Sequence, residues 1–145
     1  MKTINLSTEQ DTIDLANYLA PLLKKGDIIT LFGDLGSGKT FFVKQLGLAL
    51  GIKEEIDSPS FVLMKEYSGG RLPLYHLDLY QLKNEAELYD LGLFDILDKG
   101  ITVIEWPSLA KDILPYQTCK LQFHFDGEKR WVDIIPDSEH SKYFV

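Results

Sequence analysis

The fold is decided by the stretch Asp27-Ile28-Ile29-Thr30-Leu31-Phe32-Gly33-Asp34-Leu35-Gly36-Ser37-Gly38-Lys39-Thr40. Its first part is a mostly apolar run between two glycines, which is typical of a strand buried on both faces of a parallel sheet. Its last part, residues 33–40, matches the pattern G-x-x-x-x-G-K-[ST] at every fixed position. From Lys39 onward, apolar residues recur at helical spacing as far as Leu50, and Gly51 is placed to end the helix. A strand, a glycine-rich loop and a helix in this order are the context in which the pattern forms a phosphate-binding P-loop.

Before this stretch, the sequence predicts a strand and a helix. The strand covers residues 3–6, and Ser7 and Gln10 have the spacing of a capping box, which predicts the start of a helix. Apolar residues then recur at helical spacing up to Gly26. We therefore expect an amphipathic first helix that packs one face against the core.

After the P-loop helix, β-prone runs predict two hairpins and a second buried strand. Each hairpin consists of two such runs that flank a glycine-containing turn. The buried strand ends in Glu105-Trp106-Pro107, since proline does not continue a strand in a sheet interior. The elements predicted here are the hairpins 61–67 with 72–79 and 120–125 with 130–135, short helices at 84–91 and 94–99, the strand 101–104 and a polar tail at 136–142. We predict one α/β domain over residues 1–145, P-loop NTPase-like and three-layered, with a mainly parallel central sheet plus antiparallel hairpins.

Composition and charge narrow the function. The 145 residues are 45% hydrophobic and 26% charged, which predicts one soluble globular unit. The chain start lacks the apolar segment of a secretory signal, and no apolar run approaches the roughly 20 residues that span a bilayer, so we expect a cytoplasmic protein without membrane association. The single cysteine, Cys119, is expected in the core rather than as a nucleophile. A net charge of −7 with only two arginines disfavours autonomous nucleic-acid binding, because phosphate backbones need clustered lysine and arginine.

The residue types of the loop fit the chemistry of a bound triphosphate. Inward-facing backbone N–H groups and the positive end of the helix dipole near Gly38 compensate the phosphate charges. Glycine at positions 33, 36 and 38 permits the backbone dihedrals that the loop needs and allows the backbone to approach the phosphates closely. Lys39 supplies a mobile charge for the β and γ phosphates, and the Thr40 hydroxyl is expected to bind Mg²⁺.

Two acidic residues are candidates for contacts to the metal and the attacking water. Glu105 ends a predicted buried strand, and ligands gather at the carboxyl ends of parallel strands. We expect it to bind Mg²⁺ directly or through water, or to orient the attacking water, the alternative being a strand-end glutamate in solvent. Period-2 alternation places His76, Asp78 and Tyr80 on one strand face. Asp78 is then a candidate to position a water, against the alternative of a solvated face, and His76 is expected as a hydrogen-bonded partner rather than a ligand.

Four motifs follow one another along the chain. They are Gly33-Asp34-Leu35-Gly36-Ser37-Gly38-Lys39-Thr40, Ser58-Pro59-Ser60-Phe61, His76-Leu77-Asp78-Leu79-Tyr80 and Val103-Ile104-Glu105-Trp106-Pro107. In this order and spacing they resemble the TsaE (YjeE) family, the P-loop ATPases of bacterial tRNA threonylcarbamoyladenosine synthesis, over most of the chain. The resemblance implies a compact α/β ATPase that binds ATP and Mg²⁺. It also implies action with the TsaD and TsaB proteins while threonylcarbamoyl passes from an adenylate to N6 of adenosine 37, without this chain carrying that group.

The resemblance also implies roles for single residues. Lys39 and Thr40 match the family's phosphate and magnesium residues, Glu105 its metal-side acid, and Asp78 its essential aspartate. Trp106 matches the family's tryptophan beside the site. The expected site residues in full are Lys39, Asp78 and Glu105 for catalysis, Glu9, Gly33, Asp34, Leu35, Gly36, Ser37, Gly38, Lys39, Thr40, Trp106 and Arg130 for the nucleotide, and Thr40 and Glu105 for the metal.

Three further features resemble the family more weakly, and two positions depart from its usual pattern. Residues 58–61 match a segment that the family uses like a nucleotide-sensing switch, and Glu9 and Arg130 are expected to flank the nucleotide. Ser60 stands where the family usually has threonine, and it keeps a hydroxyl. Gln81 stands where the family usually has arginine, so this chain lacks the cation that the family has at that position.

Two other functions remain open. A small-molecule kinase uses the same loop, but such kinases generally stabilise the transferred charge with several arginines on a mobile lid, and this chain has two arginines. A GTPase-like binding switch would carry an Asn-Lys-x-Asp guanine signature, which the sequence lacks, so adenine is preferred. The favoured interpretation is a weak Mg-dependent ATPase that protein partners complete or stimulate, because no arginine finger in cis is evident.

Overall fold

The computed structural model describes residues 1–57, 63–80, 82–110, 114, 118–137 and 140–144. The strands are β1 (Lys2–Asn5), β2 (Ile28–Phe32), β3 (Met64–Tyr67), β4 (Leu74–Asp78), β5 (Ile101–Glu105), β6 (Cys119–Asp126) and β7 (Lys129–Ile135). The α-helices are α1 (Glu9–Leu19), α2 (Lys39–Ala49), α3 (Glu85–Asp90) and α4 (Leu93–Ile96), and 3₁₀ turns cover Ala20–Leu22, Pro107–Leu109 and Ser141–Phe144. Within these ranges, no helix combines the length and the apolar character needed to cross a membrane.

The strands form one seven-stranded sheet in the order β1-β7-β6-β2-β5-β4-β3. β2 pairs in parallel with β5 and β6, and β4 pairs in parallel with β5. β7 pairs antiparallel with both β6 and β1, and β3 pairs antiparallel with β4. The predicted mainly parallel sheet with antiparallel hairpins is confirmed. The strand that leads into the P-loop, β2, lies in the middle of this sheet, where an apolar run is covered on both faces.

Alternating residues of the central strands supply two hydrophobic clusters, one on each face of the sheet. On β2, Ile29 and Leu31 join the cluster that contains α1 and α2, whereas Ile28 joins the cluster that contains α3 and α4. Helices therefore lie on both faces, which confirms the three-layer architecture. The first cluster includes Leu15, Leu19, Phe42, Leu46, Val103, Leu121 and Phe123, and the second includes Tyr75, Leu77, Leu88, Leu93, Ile96 and Ile104.

The first helix starts with a different capping box from the one the sequence predicts. Its N-cap is Thr8, whose side chain accepts a hydrogen bond from the backbone N–H of Asp11, while the Asp11 carboxylate accepts one from the backbone N–H of Thr8. Ser7 instead donates to the side chain of Asn5 at 2.7 Å. The predicted box of Ser7 with Gln10 is wrong, because the neighbouring threonine and aspartate satisfy both backbone N–H groups reciprocally.

The same helix also ends earlier than predicted. It stops at Leu19 rather than continuing toward Gly26, and residues Ala20–Leu22 form a 3₁₀ turn. Pro21 ends the α-helix because it has no N–H with which to continue the helical hydrogen bonds. Leu23 still reaches the core, at 1% exposure, so the apolar pattern predicted its burial but not its conformation.

The C-terminal segment is not the polar tail that the sequence predicts. His140 and Tyr143 are buried, at 2% and 6% exposure. The imidazole of His140 lies between two carboxylates, with Nδ1 2.9 Å from Oδ1 of Asp137 and Nε2 3.2 Å from Oδ1 of Asp27. Tyr143 donates to the other oxygen of Asp27 at 3.0 Å. The segment is therefore tied to the residue that precedes β2, a contact between distant parts of the sequence.

Cys119 begins β6 and is buried, as predicted. Burial raises the pKa of its thiol to about 12, and the nearby charges of Asp137 and Asp27 add to the shift. The thiolate is therefore strongly disfavoured, which is consistent with a packing role.

Candidate functional site

Three glycines shape the loop between β2 and α2. Gly33, Gly36 and Gly38 have φ values of +139°, +80° and +108°, which residues with side chains rarely adopt. At Gly33, a Cβ atom would also lie 2.8 Å from the carbonyl oxygen of Phe123, so β6 constrains the start of the loop. Gly38 is the N-cap of α2, whose first turn presents unpaired backbone N–H groups and the positive end of the helix dipole. The backbone thus has the form of an anion-binding loop.

The side chain of Lys39 is buried against this loop. It is 5% exposed, its ammonium donates a hydrogen bond to the carbonyl oxygen of Gly33, and Nζ lies 3.6 Å from the centroid of the Trp106 ring. Burial lowers the pKa of Lys39, and the charges of Glu105 and Asp78 counteract that effect in part. The ammonium is therefore held by a carbonyl group and an aromatic ring, with carboxylates close by.

Trp106 turns the chain sharply at the end of β5. Its backbone is left-handed, with φ 55° and ψ 57°, a conformation that costs a non-glycine residue about 1–2 kcal/mol. The indole lies 4.9 Å from the Tyr80 ring, measured between centroids. Tyr80 lies beyond the last residue of β4 and is 57% exposed. The prediction that Tyr80 shares a strand face with His76 and Asp78 is therefore wrong, because the chain turns where the Tyr80 N–H donates to the Asp78 carboxylate at 3.0 Å.

The strand register brings the two acidic residues side by side. Asp78 at the end of β4 is the Cα partner of Glu105 at the end of β5, and both are buried, at 8% and 2% exposure. One oxygen of Glu105 lies 3.4 Å from Oγ1 of Thr40, and the other lies 2.5 Å from Nε2 of His76. The two alternatives that placed these acids in solvent are therefore excluded. His76 makes the hydrogen bond that the sequence predicts for it.

Two adjacent clefts open on the loop. Gly38 and Phe41 line both, and Arg130 donates from Nη1 to the carbonyl oxygen of Gly36 at 2.6 Å, which ties β7 to the loop. The first cleft has a volume of about 360 Å³ and is lined by residues that include Lys39, Thr40, Asp78, Tyr80, Glu105 and Trp106. The second has a volume of about 300 Å³ and is lined by residues that include Ser7, Thr8, Glu9, Thr12, Ser37 and Arg130.

Thr40 and Glu105 bring two oxygen atoms that could bind a metal within 3.4 Å of each other in the first cleft. Among the residues that the structure describes, no group of three or more His, Cys, Asp or Glu could hold a metal ion. Magnesium typically binds through one or two protein oxygens and completes its shell with phosphate oxygens and water. The donor set therefore fits a magnesium ion that binds together with phosphates, and does not fit a metal held by the protein alone.

Comparison with known proteins identifies the family. The family model described as "Threonylcarbamoyl adenosine biosynthesis protein TsaE" matches residues 6–132. The chain belongs to the TsaE family. The tRNA threonylcarbamoyladenosine biosynthesis protein TsaE of Bacillus subtilis is 40% identical over 128 residues, which cover 88% of this chain and 78% of the relative. The protein of the same name from Treponema pallidum is 43% identical over 123 residues, which cover 83% and 90%.

A solved structure supports the same assignment at the level of the fold. The crystal structure of Bacillus subtilis YdiB superposes with a TM-score of 0.82 at 29% sequence identity. The match covers 98% of this chain and 90% of that one. The fold is thus shared with that solved structure over nearly the whole chain.

Most residues predicted for the site of this TsaE protein lie around the two clefts. Leu35 is 68% exposed at the rim of the first cleft, and Asp34 is exposed and lines neither. Thr12 of α1 lines the second cleft and was missed, because nothing in a local pattern shows that α1 approaches the loop. Phe41 of α2 lines both clefts and was also missed, since its apolar side chain carries no signal for phosphate or metal binding. The predicted switch segment 58–61 lies outside the described residues, and so does Gln81.

Proposed function

We propose that this chain is a weak, Mg-dependent ATPase that works in tRNA threonylcarbamoyladenosine biosynthesis together with the TsaD and TsaB proteins. The observation that carries the proposal is that Lys39 and Thr40 line the same cleft as the buried pair Asp78 and Glu105. A phosphate-binding loop alone holds a nucleotide, whereas adjacent acids add groups that hydrolysis needs. In this role a single domain, residues 1–145, acts indirectly and does not carry the threonylcarbamoyl group.

The proposed nucleotide spans both clefts. The triphosphate lies along residues 33–40, where the backbone N–H groups and the N-terminus of α2 compensate its charge. The Lys39 ammonium leaves the carbonyl oxygen of Gly33 and contacts the β and γ phosphates. The adenosine extends toward the second cleft, between Glu9 and Arg130.

The acids divide the remaining tasks between them. Thr40 and Glu105 would hold Mg²⁺, which compensates charge on the β and γ phosphate oxygens when it is bound. Asp78 lies beside Glu105 and lines the cleft, so its carboxylate accepts a hydrogen bond from the attacking water and orients it. The buried surroundings strengthen these contacts, because charges interact more strongly where water is excluded.

The positions of the arginines support slow turnover by the isolated chain. Both arginines of the sequence lie among the described residues. Arg71 donates to the carbonyl oxygens of Ala20 and Leu23 at 2.7 and 2.6 Å, and Arg130 donates to the carbonyl oxygen of Gly36. An arginine directed at the transferring phosphate typically accelerates such reactions about 10³–10⁵-fold. A cation supplied by a protein partner would therefore raise the rate.

Calorimetry with MgATP tests nucleotide binding. We expect the parent protein to bind, and Lys39→Ala to bind at least about tenfold more weakly, because it loses the mobile phosphate charge. Lys53→Ala is the matched control, since Lys53 is exposed and follows the opposite end of α2 from the loop. A parent protein that binds no MgATP, alone or with TsaD and TsaB, would contradict the proposal.

Reconstitution tests the role in tRNA modification. The reaction contains TsaD, TsaB, tRNA and threonylcarbamoyl adenylate under multiple-turnover conditions, with and without this chain. We expect repeated turnover only when the chain and ATP are both present. Modification that proceeds equally without the chain would favour a small-molecule kinase or a binding switch instead.

A further inference from the structure

His76 is the inner end of a row of side chains that reaches the first cleft. It lies on β4 with no exposed surface, two residues before Asp78 and on the same strand face. Its Nε2 lies 2.5 Å from Oε2 of Glu105, and Oε1 of Glu105 lies 3.4 Å from Oγ1 of Thr40. The row therefore runs from the sheet interior through Glu105 to a residue of the phosphate-binding loop.

The hydrogen bond between His76 and Glu105 has a defined direction. An ionised carboxylate only accepts hydrogen bonds, so Nε2 of His76 carries the hydrogen and donates it. The other ring nitrogen, Nδ1, has no hydrogen-bond partner among the described residues. The buried imidazole therefore makes one directed polar contact, and that contact goes to Glu105.

This contact restrains a side chain that would otherwise have several orientations. Glutamate has three rotatable bonds, and a hydrogen bond to an ionised oxygen is among the stronger restraints available in a protein. Since Oε2 is held from behind by His76, Oε1 is the oxygen left toward Thr40 and the cleft.

We propose that His76 is a positioning residue for the ATPase reaction, because it holds one oxygen of Glu105 so that the other faces Thr40 and the metal position. The inference rests on the proposed function and adds a residue to it. Residues that hydrogen-bond a metal-binding side chain from behind set its orientation, and their loss typically lowers metal affinity or activity about 10–100-fold.

Two substitutions separate the hydrogen bond from packing. His76→Gln keeps an N–H donor at a similar reach, whereas His76→Leu fills a similar buried volume without a donor. Thermal unfolding establishes that both variants are folded. His76→Met replaces His76→Leu if the latter does not fold, because methionine also lacks a donor and adapts to irregular space.

The main measurement uses calorimetry to determine the affinity for a non-hydrolysable ATP analogue, first in EDTA and then with saturating Mg²⁺. The quantity compared between variants is the gain in affinity that Mg²⁺ produces. In EDTA we expect the parent and both variants to bind equally, since the loop and Lys39 are unchanged. With Mg²⁺ we expect the gain to shrink about tenfold in His76→Leu and to persist in His76→Gln. The turnover number is expected to follow the same order.

A double-mutant cycle distinguishes a positioning role from a structural one. In a Glu105→Ala background, His76→Leu should cause no further loss of the Mg²⁺-dependent gain, because His76 acts only through Glu105. Two results would overturn this inference and leave the proposed function intact. One is an unchanged Mg²⁺-dependent gain in folded His76→Leu, and the other is a loss from His76→Leu that is as large in the Glu105→Ala background as in the parent. A parent protein that binds no nucleotide overturns the proposed function, and this inference with it.

Discussion

At the scale of single residues, the two neighbouring acids have different surroundings. Glu105 is contacted from the sheet interior by His76 and has its other oxygen near Thr40. Asp78 accepts a hydrogen bond from the N–H of Tyr80 and lines the cleft on the partner strand. We infer that the two acids are not interchangeable. The Glu105 carboxylate lies near Thr40 of the phosphate-binding loop, whereas the Asp78 carboxylate lines the first cleft.

Replacement of Asp78 by asparagine tests this division. Asp78→Asn keeps the size of the side chain and removes the charge that orients water, so we expect the turnover number to fall about 10²–10⁴-fold. Binding of MgATP should stay within about threefold of the parent, because the loop supplies the phosphate contacts. Steady-state kinetics and calorimetry measure the two quantities, and equal losses in both would contradict a role confined to hydrolysis.

At the scale of elements, the loop depends on contact with the neighbouring strand. Gly33 follows β2 and lies against the Phe123 carbonyl of β6, whereas a Cβ atom at Gly36 would meet no atom of the described residues within 4 Å beyond its chain neighbours. Both glycines have positive φ. A side chain at the start of the loop is therefore opposed by packing and by backbone conformation together, whereas a side chain at Gly36 is opposed by backbone conformation alone.

Alanine substitutions separate these two constraints. We expect Gly36→Ala to lower the free energy of unfolding by about 1–3 kcal/mol through backbone strain. Gly33→Ala should lower it further, because its Cβ would lie 2.8 Å from the Phe123 oxygen, and β2 and β6 would have to separate. Urea unfolding of the two variants measures the difference, and equal losses would show that the contact with β6 is not limiting.

The C-terminal segment is held to the start of β2 by ionised groups. Burial alone would lower the pKa of His140, but hydrogen bonds and charges from Asp27 and Asp137 outweigh it, and the pKa is raised above 6.5. Burial alone would raise the pKa of Asp27, but hydrogen bonds from His140, the Lys24 N–H and Tyr143 outweigh it, and the pKa is lowered below 3.8. The folded protein therefore favours the protonated imidazolium of His140 and the ionised carboxylate of Asp27.

The pH dependence of stability follows from these two shifts. The raised pKa of His140 means that its contribution is complete below about pH 6.5 and is lost as the pH rises through the folded pKa. The Asp27 contribution is present above about pH 3.8 and is lost as the pH falls. The melting temperatures of the parent and of His140→Gln should therefore differ most near pH 5.5 and converge toward pH 9. A difference that stays constant over this range would exclude an ionised His140.

At the scale of the whole molecule, net charge shapes the encounter with tRNA. The chain carries a net charge of −7, and both of its arginines donate to backbone carbonyl groups of the chain itself. The two arginines therefore do not provide a cluster of cations that could follow a phosphate backbone. We infer that tRNA is bound by the assembled proteins and not by this chain alone.

Fluorescence anisotropy with labelled tRNA tests this inference. At physiological salt we expect the isolated chain to show no binding at micromolar concentration, because net repulsion opposes it. The same tRNA should bind when TsaD and TsaB are present, which serves as the positive control. Tight binding to the chain alone would show that its charge distribution, and not its net charge, controls recognition.

Local patterns predicted the features that depend on neighbouring residues. The buried strand, the glycine-rich loop and α2 follow directly from the stretch 27–50, and the two short helices are present as predicted, with Gly92 between them. The two hairpins were also predicted, because their turns carry glycine at positive φ. In each case the deciding interaction lies within a few residues of the chain.

Local patterns did not predict several features that depend on distant residues, although the family resemblance placed Glu9 and Arg130 together beside the nucleotide. The burial of His140 requires Asp27, more than one hundred positions earlier in the sequence. The second cleft forms because the start of α1 and the start of β7, near the turn of the last hairpin, both meet the phosphate-binding loop. The choice of Thr8 over Ser7 as the helix cap was equally hidden, because both residues can fill that position and only the three-dimensional structure decides.

The contacts of Lys39 bear on how long a nucleotide stays bound. With its ammonium on a loop carbonyl and beneath the indole of Trp106, the lysine already has good partners before ATP arrives. Each contact that Lys39 makes with a phosphate therefore replaces an existing one, and the net gain from this side chain is a difference between two well-satisfied arrangements. We expect a short residence time for ADP, so that the protein resets quickly between cycles and does not act as a nucleotide reservoir.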